Sequence, residues 1–330
     1  MQQLDDSPGE AWGDSAPRFH CYNFGSINLD HVYRVPHLVA PGETLASHDY
    51  SVGLGGKGAN QSLAMARAAG TVSHWGRLGR QDVWARDALS RAGVDVEHVT
   101  LLDGPSGHAI IQVDDRGENA IILFSGANHG TTQQELATLV ATTQPGDWLL
   151  LQNECSGLET LIPLAVEHGL KVAFNPAPMD DNVARLPLHL CSLLFVNRTE
   201  AALLVGLPVE SRAQALLDAL AQRLPEAEIV LTLGGEGAWH QRHGMCRHQP
   251  ALPVVAVDTT AAGDTFIGYY LAALQAGRSI DDCLRHAATA AALGVQRSGA
   301  AESIPTLDEV QRALQQAPVS PDAPVDPQTP

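Results

Sequence analysis

The sequence predicts an α/β protein: a mostly parallel central sheet flanked by helices on both faces, with a small β-sheet lid. Three observations predict it. From residue 70 onward, short apolar runs of strand length alternate with longer segments of helical period. Those runs lack a polar alternation, as strands buried on both faces do. Before and among them sit two pairs of alternating runs, each pair split by a turn signal, which read as inserted hairpins.

Composition limits what such a fold could do. The chain has 330 residues, 45% hydrophobic and 17% charged, which is globular rather than disordered. Its net charge of −17 argues against nucleic acid or an anionic membrane as a partner. An anionic substrate would therefore need local positive charge or backbone amides. The five cysteines are scattered and form no C-x-x-C pair, so they read as reduced thiols of a cytoplasmic protein. The N-terminus is acidic and has no apolar signal region, and no apolar run reaches the ~18 residues of a membrane span. Residues 1–18 read as a disordered leader and 317–330 as a disordered tail, leaving 19–316 as a single domain.

Taken in order, His20–Gly25 reads as the first strand. Asn28 and Asp30 follow two residues apart, so in extended backbone they face one way. They are either a polar turn or a pair suited to sugar hydroxyls. The hairpins lie at about 31–52 and 107–125; joined, they would make a lid over a site or a dimer surface. Between them stands Gly53-Leu-Gly-Gly-Lys-Gly-Ala-Asn60, followed by a helical run to Ala69. Lys57 is one of only two lysines in the chain, against 18 arginines. Hemmed by glycines ahead of a helix, it is a candidate ligand-binding group. Gly53, Gly55 and Gly58 also match G-x-G-x-x-G, the turn of a dinucleotide-binding oxidoreductase using NAD. Here, however, the pattern follows a hairpin rather than the first core strand.

The alternation then gives strands at 72–75, 148–152, 172–175, 193–196 and 229–233. Helices fall at 83–92, 133–142, 158–168, 198–204 and 213–224, with a long Ala-rich helix at about 280–295. In such sheets ligands sit beyond the C-terminal strand ends. Glu154, Asn197, Glu200, Thr232 and Gly234–Gly237 all fall there, beside Asn28 and Asp30, and together they predict a cleft. The histidines show no metal-ligand spacing.

Asp258-Thr-Thr-Ala-Ala-Gly-Asp264 completes the set. Small residues running into a helix make an anion site from its opening amides. Asp264 at that start is either a helix cap or a general base beside a bound phosphate.

The combination resembles the ribokinase/phosphofructokinase-B (PfkB) family of sugar kinases over about residues 20–315. The resemblance rests on Gly25-Ser-Ile-Asn-Leu-Asp30, Gly55-Gly-Lys-Gly-Ala-Asn-Gln61, Gly117-Glu-Asn119, Gly126-Ala-Asn128, Asn175-Pro-Ala-Pro178, Asn197-Arg-Thr-Glu200, Thr232-Leu-Gly234 and the 258–264 segment. It implies a ribokinase-like fold and ATP-dependent phosphorylation of D-ribose at O5. Another small sugar (deoxyribose, fructose, 2-keto-3-deoxygluconate) or a nucleoside is the alternative acceptor. By match, Asp264 would be the base, and the amides of Ala262 and Gly263 the anion hole. Asn28, Asp30, Gly56, Lys57, Asn60 and Glu154 would hold the sugar, and Asn197, Thr232, Gly234, Gly237 and Gly263 the ATP. Glu200 would act on Mg2+, through water. Asp258, Thr260, Gly294, Arg297, Gly299 and Ser303 would surround an activating K+, Arg297 only by its carbonyl. A homodimer through the lid is the family expectation. Two departures bear on the nucleotide site: Tyr269 follows Gly268 where a second small residue is usual, and Ala288 replaces the Asn or His often found near the adenine.

Overall fold

The computed structural model describes residues 17–316. The expected leader and tail lie outside the described residues, apart from Pro17 and Arg18. Arg18 is already tied down, its amide donating to Gln275 O at 3.0 Å.

The strands are β1 (Cys21–Phe24), β2 (Asn28–Val35), β3 (Asp49–Gly55), β4 (Val72–Gly79), β5 (Val99–Leu102), β6 (Gly107–Asp114), β7 (Asn119–Phe124), β8 (Trp148–Gln152), β9 (Lys171–Asn175), β10 (Leu193–Asn197), β11 (Glu228–Thr232), β12 (Ala238–Arg242) and β13 (Met245–Gln249). The helices are α1 (Lys57–Arg67), α2 (Val83–Arg91), α3 (Gln133–Val140), α4 (Leu158–Glu167), α5 (Arg198–Val205), α6 (Ala213–Arg223), α7 (Ala262–Gln275), α8 (Ile280–Gly294) and α9 (Leu307–Gln316).

Nine strands form the main sheet in the order β13-β12-β11-β10-β9-β8-β1-β4-β5. Pairing is parallel from β11 through β5 and antiparallel at the β11-β12-β13 edge. Side chains alternate between two cores. Leu150 faces α1, α7 and α8, whereas Leu149 and Leu151 face α3 and α4. This double burial is why the strands read as unbroken apolar runs.

The two predicted hairpins, β2-β3 and β6-β7, join through parallel β2-β6 pairing into a second sheet, β3-β2-β6-β7. Sequence reasoning missed β5, β12, β13 and α9. β13 is exposed along most of its length and carries Met245, Cys246, Arg247 and His248. Its polar edge-strand composition gives little periodic signal.

Two close approaches position the rest. α1 starts on Gly56, whose φ of +90° only glycine adopts readily. A Cβ on Gly58 would lie 2.5 Å from the backbone of Gly25 and Ser26, so the first turn of α1 rests directly on the β1–β2 connection. On α7, a Cβ on Gly268 would lie 2.4 Å from Ala64 Cβ and 2.8 Å from Gln61 O. Helices α1 and α7 therefore cross at backbone contact, with Gln61 and Asp264 on adjoining turns. Tyr269, the departure noted above, turns from that crossing into the core. It is fully buried and its hydroxyl donates to Pro305 O at 2.9 Å. Ala288 packs in the same core on α8.

Candidate active site

Two helix starts meet beyond the C-terminal ends of the parallel strands, and they differ in what their amides face. The first amide of α1, Lys57 N, donates to Glu154 Oε2 at 3.0 Å. Ser26 Oγ donates to the same oxygen, and Gly58 N donates to Ser26 Oγ at 3.3 Å. A carboxylate of the chain itself thus satisfies α1. At α7, Ala262 N donates to Thr259 O at 3.2 Å and Thr265 N to Ala261 O at 2.8 Å. The amides of Gly263 and Asp264 have no acceptor among the described residues. They open on a cavity of about 200 Å³. An unfilled helix start beside a cavity is an anion site made of fixed dipoles. Of the two amides expected to form it, only that of Gly263 is unengaged in this structure; that of Asp264 is unengaged beside it.

Asp264 lies in the first turn of α7, is 4% exposed and lines that cavity. Its side chain does not cap the helix; Ala261 occupies the cap position in the left-handed region at φ +58°. Its oxygens accept instead from α1: Oδ1 from Gln61 Nε2 at 2.8 Å and Oδ2 from Asn60 Nδ2 at 3.2 Å. Asn60 Oδ1 is buried without a partner among the described residues. A buried acceptor left unfilled costs ~1–3 kcal/mol, so a hydroxyl that reached it would be favoured.

Lys57, Asn197, Glu200 and Thr232 share the cavity wall with Gly263 and Asp264. Asn197 and Glu200 form a capping box at the start of α5: Asn197 N donates to Glu200 Oε2 at 2.9 Å, and Glu200 N to Asn197 Oδ1 at 2.9 Å. Gly234 and Gly237 make the tight turn after Thr232 and are not among the wall residues. Asn175 also lines the wall.

Asn28 and Asp30 stand on one face of β2, and neither is among the residues lining the cavity that Lys57 shares with Asp264. Their cross-strand partners on that face are Gly55 and Gly107 for Asn28, and Gly53 and Ala109 for Asp30. The glycines let these polar side chains lie flat on the sheet: a Cβ on Gly55 would lie 2.1 Å from Asp30 Oδ2, and one on Gly107 would lie 2.3 Å from Asn28 Oδ1. Asn28 Oδ1 accepts from Asn128 Nδ2 at 2.7 Å. Asn128 Oδ1 in turn accepts from Ile27 N at 3.0 Å, which locks the amide's orientation.

The electrostatics are lopsided. Burial, then the charges of Glu154 and Glu302, push the Asp30 carboxyl up to about 6. Burial also raises Glu200, against the Asn197 amide and Lys57. Asp264 foremost holds the Lys57 ammonium above its usual value, against burial, with Glu154 and Glu200 adding to it. One lysine faces several acids, an arrangement with which an arriving cation fits.

Of the residues expected around K+, Thr260 and Gly299 are joined through the Asp258 carboxylate. Asp258 Oδ1 accepts from Thr260 N at 2.9 Å and from Thr260 Oγ1 at 2.6 Å; Asp258 Oδ2 accepts from Gly299 N at 3.0 Å. Arg297 N donates to Gly294 O at 3.0 Å, and Ser303 Oγ to Ala300 O at 2.8 Å. The Arg297 guanidinium is committed to Glu309, one bond being 3.3 Å. No group of three or more His, Cys, Asp or Glu that could hold a metal occurs among the described residues.

Sequence reasoning gave no role to Gln61, Ser26, Asn128 or Gln152. Gln61 and Asn128 stood inside motifs already singled out; their partners are distant in sequence and gave no local signal.

The profile of the pfkB family carbohydrate kinase matches residues 20–307. A ribokinase of Haemophilus influenzae is 38% identical over 299 residues, covering 89% of this chain and 97% of its own length. The structure of Arabidopsis thaliana ribokinase complexed with ribose and ATP is 30% identical, covers 92% of this chain and all of that one, and superposes with a TM-score of 0.80. The ribokinase of Cryptococcus neoformans in complex with ADP is 33% identical over 89% of this chain and 99% of its own, with a TM-score of 0.76.

Proposed function

The chain belongs to the pfkB family of carbohydrate kinases, and from that premise we propose that it transfers the γ-phosphoryl group of ATP to the 5-hydroxyl of D-ribose. The carrying observation is the pairing of an open helix start with a buried carboxylate, Gly263 and Asp264, on one cavity wall. Neither alone requires a phosphoryl acceptor. Together they supply fixed dipoles for the migrating group and a base for the alcohol that attacks it.

In this reading Asn28, Asp30, Lys57, Asn60 and Glu154 hold the sugar, with Gly56 bringing the backbone close. Asp264 takes the proton of O5 as the new P–O5 bond forms. The bond from the γ-phosphorus to the departing ADP oxygen breaks in line, and ADP carries its electron pair away. The start of α7, from Ala262 to Asp264, faces the charge that builds on the transferred group. Asn197, Thr232, Gly234 and Gly237 hold the nucleotide. Glu200 would hold, through water, the Mg2+ that accompanies ATP, which supplies charge neutralisation on the phosphates. Asp258, Thr260, Gly294, Arg297, Gly299 and Ser303 would hold K+, stiffening the loop that enters α7. The lid, 31–52 and 107–125 of a single domain spanning 19–316, keeps water from competing with the sugar hydroxyl.

We place the enzyme in the cytoplasm as a homodimer. All five cysteines are free thiols, and no helix among the described residues is long and apolar enough to cross a membrane. Tyr50, Val52, Ile110, Ile121, Ile122, Leu123 and Phe124 of the lid sheet are each more than a third exposed. Tyr50, Val52, Ile110, Ile122 and Phe124 share the face opposite Asn28 and Asp30, and an exposed apolar face of this kind favours a second lid covering it.

The test is ADP release with ribose, deoxyribose, fructose, 2-keto-3-deoxygluconate and adenosine, with the phosphorylated carbon of each product located by NMR. Ribose turned over best, at O5, supports the reading. Preference for another acceptor moves the assignment within the family, and turnover of none overturns it.

A further inference from the structure

A second cavity, of about 460 Å³, lies at the opposite end of the main sheet from Asp264, beyond the N-terminal ends of β8, β9 and β11. Arg18, Lys171, Arg242 and Arg247 line it, with Glu228 as the acid in its wall. Arg242 pairs with Glu228 at 2.8 Å, and Arg247 with Asp281 at 2.9 Å. Lys171 has its ammonium 5.6 Å from the centre of the Trp148 ring. Neither it nor Arg18 has a carboxylate within ion-pair distance among the described residues. The other lysine of the chain is Lys57, in the active site.

In a chain of net charge −17, this hollow gathers four cations. Two of them have no carboxylate within ion-pair distance among the described residues, although Glu228 feels the charge of Lys171, and the guanidinium forks match phosphate oxygens geometrically. Phe19, Met245, Leu274 and Ile280 supply an apolar wall opposite. We propose that this cavity is a second ligand site, which binds a small phosphate ester. The cations take the phosphate and the apolar wall takes the carbon skeleton. Nothing in phosphoryl transfer at Asp264 uses these residues.

The experiment is calorimetric titration of sn-glycerol 3-phosphate into the full chain with the active site filled by Mg2+, ADP and ribose. Saturable binding of one equivalent is expected. Lys171→Gln should weaken it about tenfold, the loss of roughly one charged hydrogen bond, and Arg18→Gln with Lys171→Gln should abolish it. Both side chains are exposed and have no carboxylate within ion-pair distance among the described residues, so both variants should fold and turn over ribose at the wild-type rate, which serves as the folding control. Absence of saturable binding, or a double variant that binds as the wild type does, would overturn the proposal.

Discussion

Gln61 Nε2 donates to Asp264 Oδ1 at 2.8 Å, joining residues 203 positions apart. The amide cannot turn the other way, because Gln61 Oε1 accepts from Gln152 Nε2 at 2.7 Å, and Gln152 Nε2 also donates to Asn23 Oδ1 at 3.0 Å. All four side chains are at most 4% exposed. The carboxylate is therefore aimed by a chain of amides anchored in β1 and β8, a positioning device that acts through Asp264. Gln61→Met keeps the volume and removes the donor. We expect kcat to fall roughly 10- to 100-fold, with the KM for ribose changed less than about threefold. A merely structural role would instead move the melting temperature with little change in kcat at permissive temperature.

Asp264→Asn removes the base and keeps the shape. Turnover should fall at least ~10³-fold while ribose still binds, measured by single-turnover kinetics and by calorimetry with ribose alone. Unchanged turnover would exclude Asp264 as the base and leave it as a structural acid of α7.

Much of this arrangement is legible in the chain, and the part that is not has a physical reason. The α/β alternation, both lid hairpins and the start of α7 follow from periodicity and small residues, which are local signals. Asn28 and Asp30 sit two apart, so a strand alone puts them on one face. The Gln61–Gln152–Asn23 relay leaves no such trace. Its members come from three elements brought together only by sheet order, and each amide by itself reads as an ordinary polar residue. Which helix start is open was equally hidden. Both look alike in sequence, and only the fold brings Glu154 onto the amide of Lys57 while leaving that of Gly263 unengaged.

The Asp30 carboxyl, pushed up to about 6 from 3.8, gives a pH signature. Because the folded-state value is raised, its contribution to stability is present below about pH 4 and is lost as pH rises through about 6. The thermal midpoint of the unliganded protein should show that loss between pH 4 and 7, and Asp30→Asn should remove it. Sugar binding runs the other way, since the ionised carboxylate is the better acceptor for two hydroxyls. The KM for ribose should rise as pH falls below about 6, and in Asp30→Asn it should be high and flat over the same range.

Removing potassium should lower kcat more than it raises the KM for ribose. The Asp258 carboxylate is hydrogen-bonded to Thr260, at the entry to α7, and to Gly299, and none of these bonds runs to Asn28 or Asp30. Asp258→Ala should copy the effect and make the rate insensitive to the cation. Assays in sodium, potassium and tetramethylammonium buffers of equal ionic strength separate ion binding from screening. Equal kcat in all three would refute the cation site.

The crossing of α1 and α7 ties stability to chemistry at one glycine. A methyl group on Gly268 would meet the backbone of Gln61 and Met65 at 2.8 Å as well as Ala64 Cβ at 2.4 Å. Backbone cannot rotate away as a side chain can, so Gly268→Ala must push the two helices apart. Such overpacking costs about 1–3 kcal/mol, read as a lower urea midpoint. The same displacement separates Gln61 and Asn60 on α1 from Asp264 on α7, whose hydrogen bonds are 2.8 and 3.2 Å. Stretching them by even a few tenths of an ångström loosens the base, so kcat should fall along with the urea midpoint. Pairing Gly268→Ala with Ala64→Gly removes the nearest side-chain clash but leaves the two backbone contacts. A partial recovery of both quantities is therefore expected. Full recovery of stability without recovery of kcat would show that the crossing does not set the aim of Asp264.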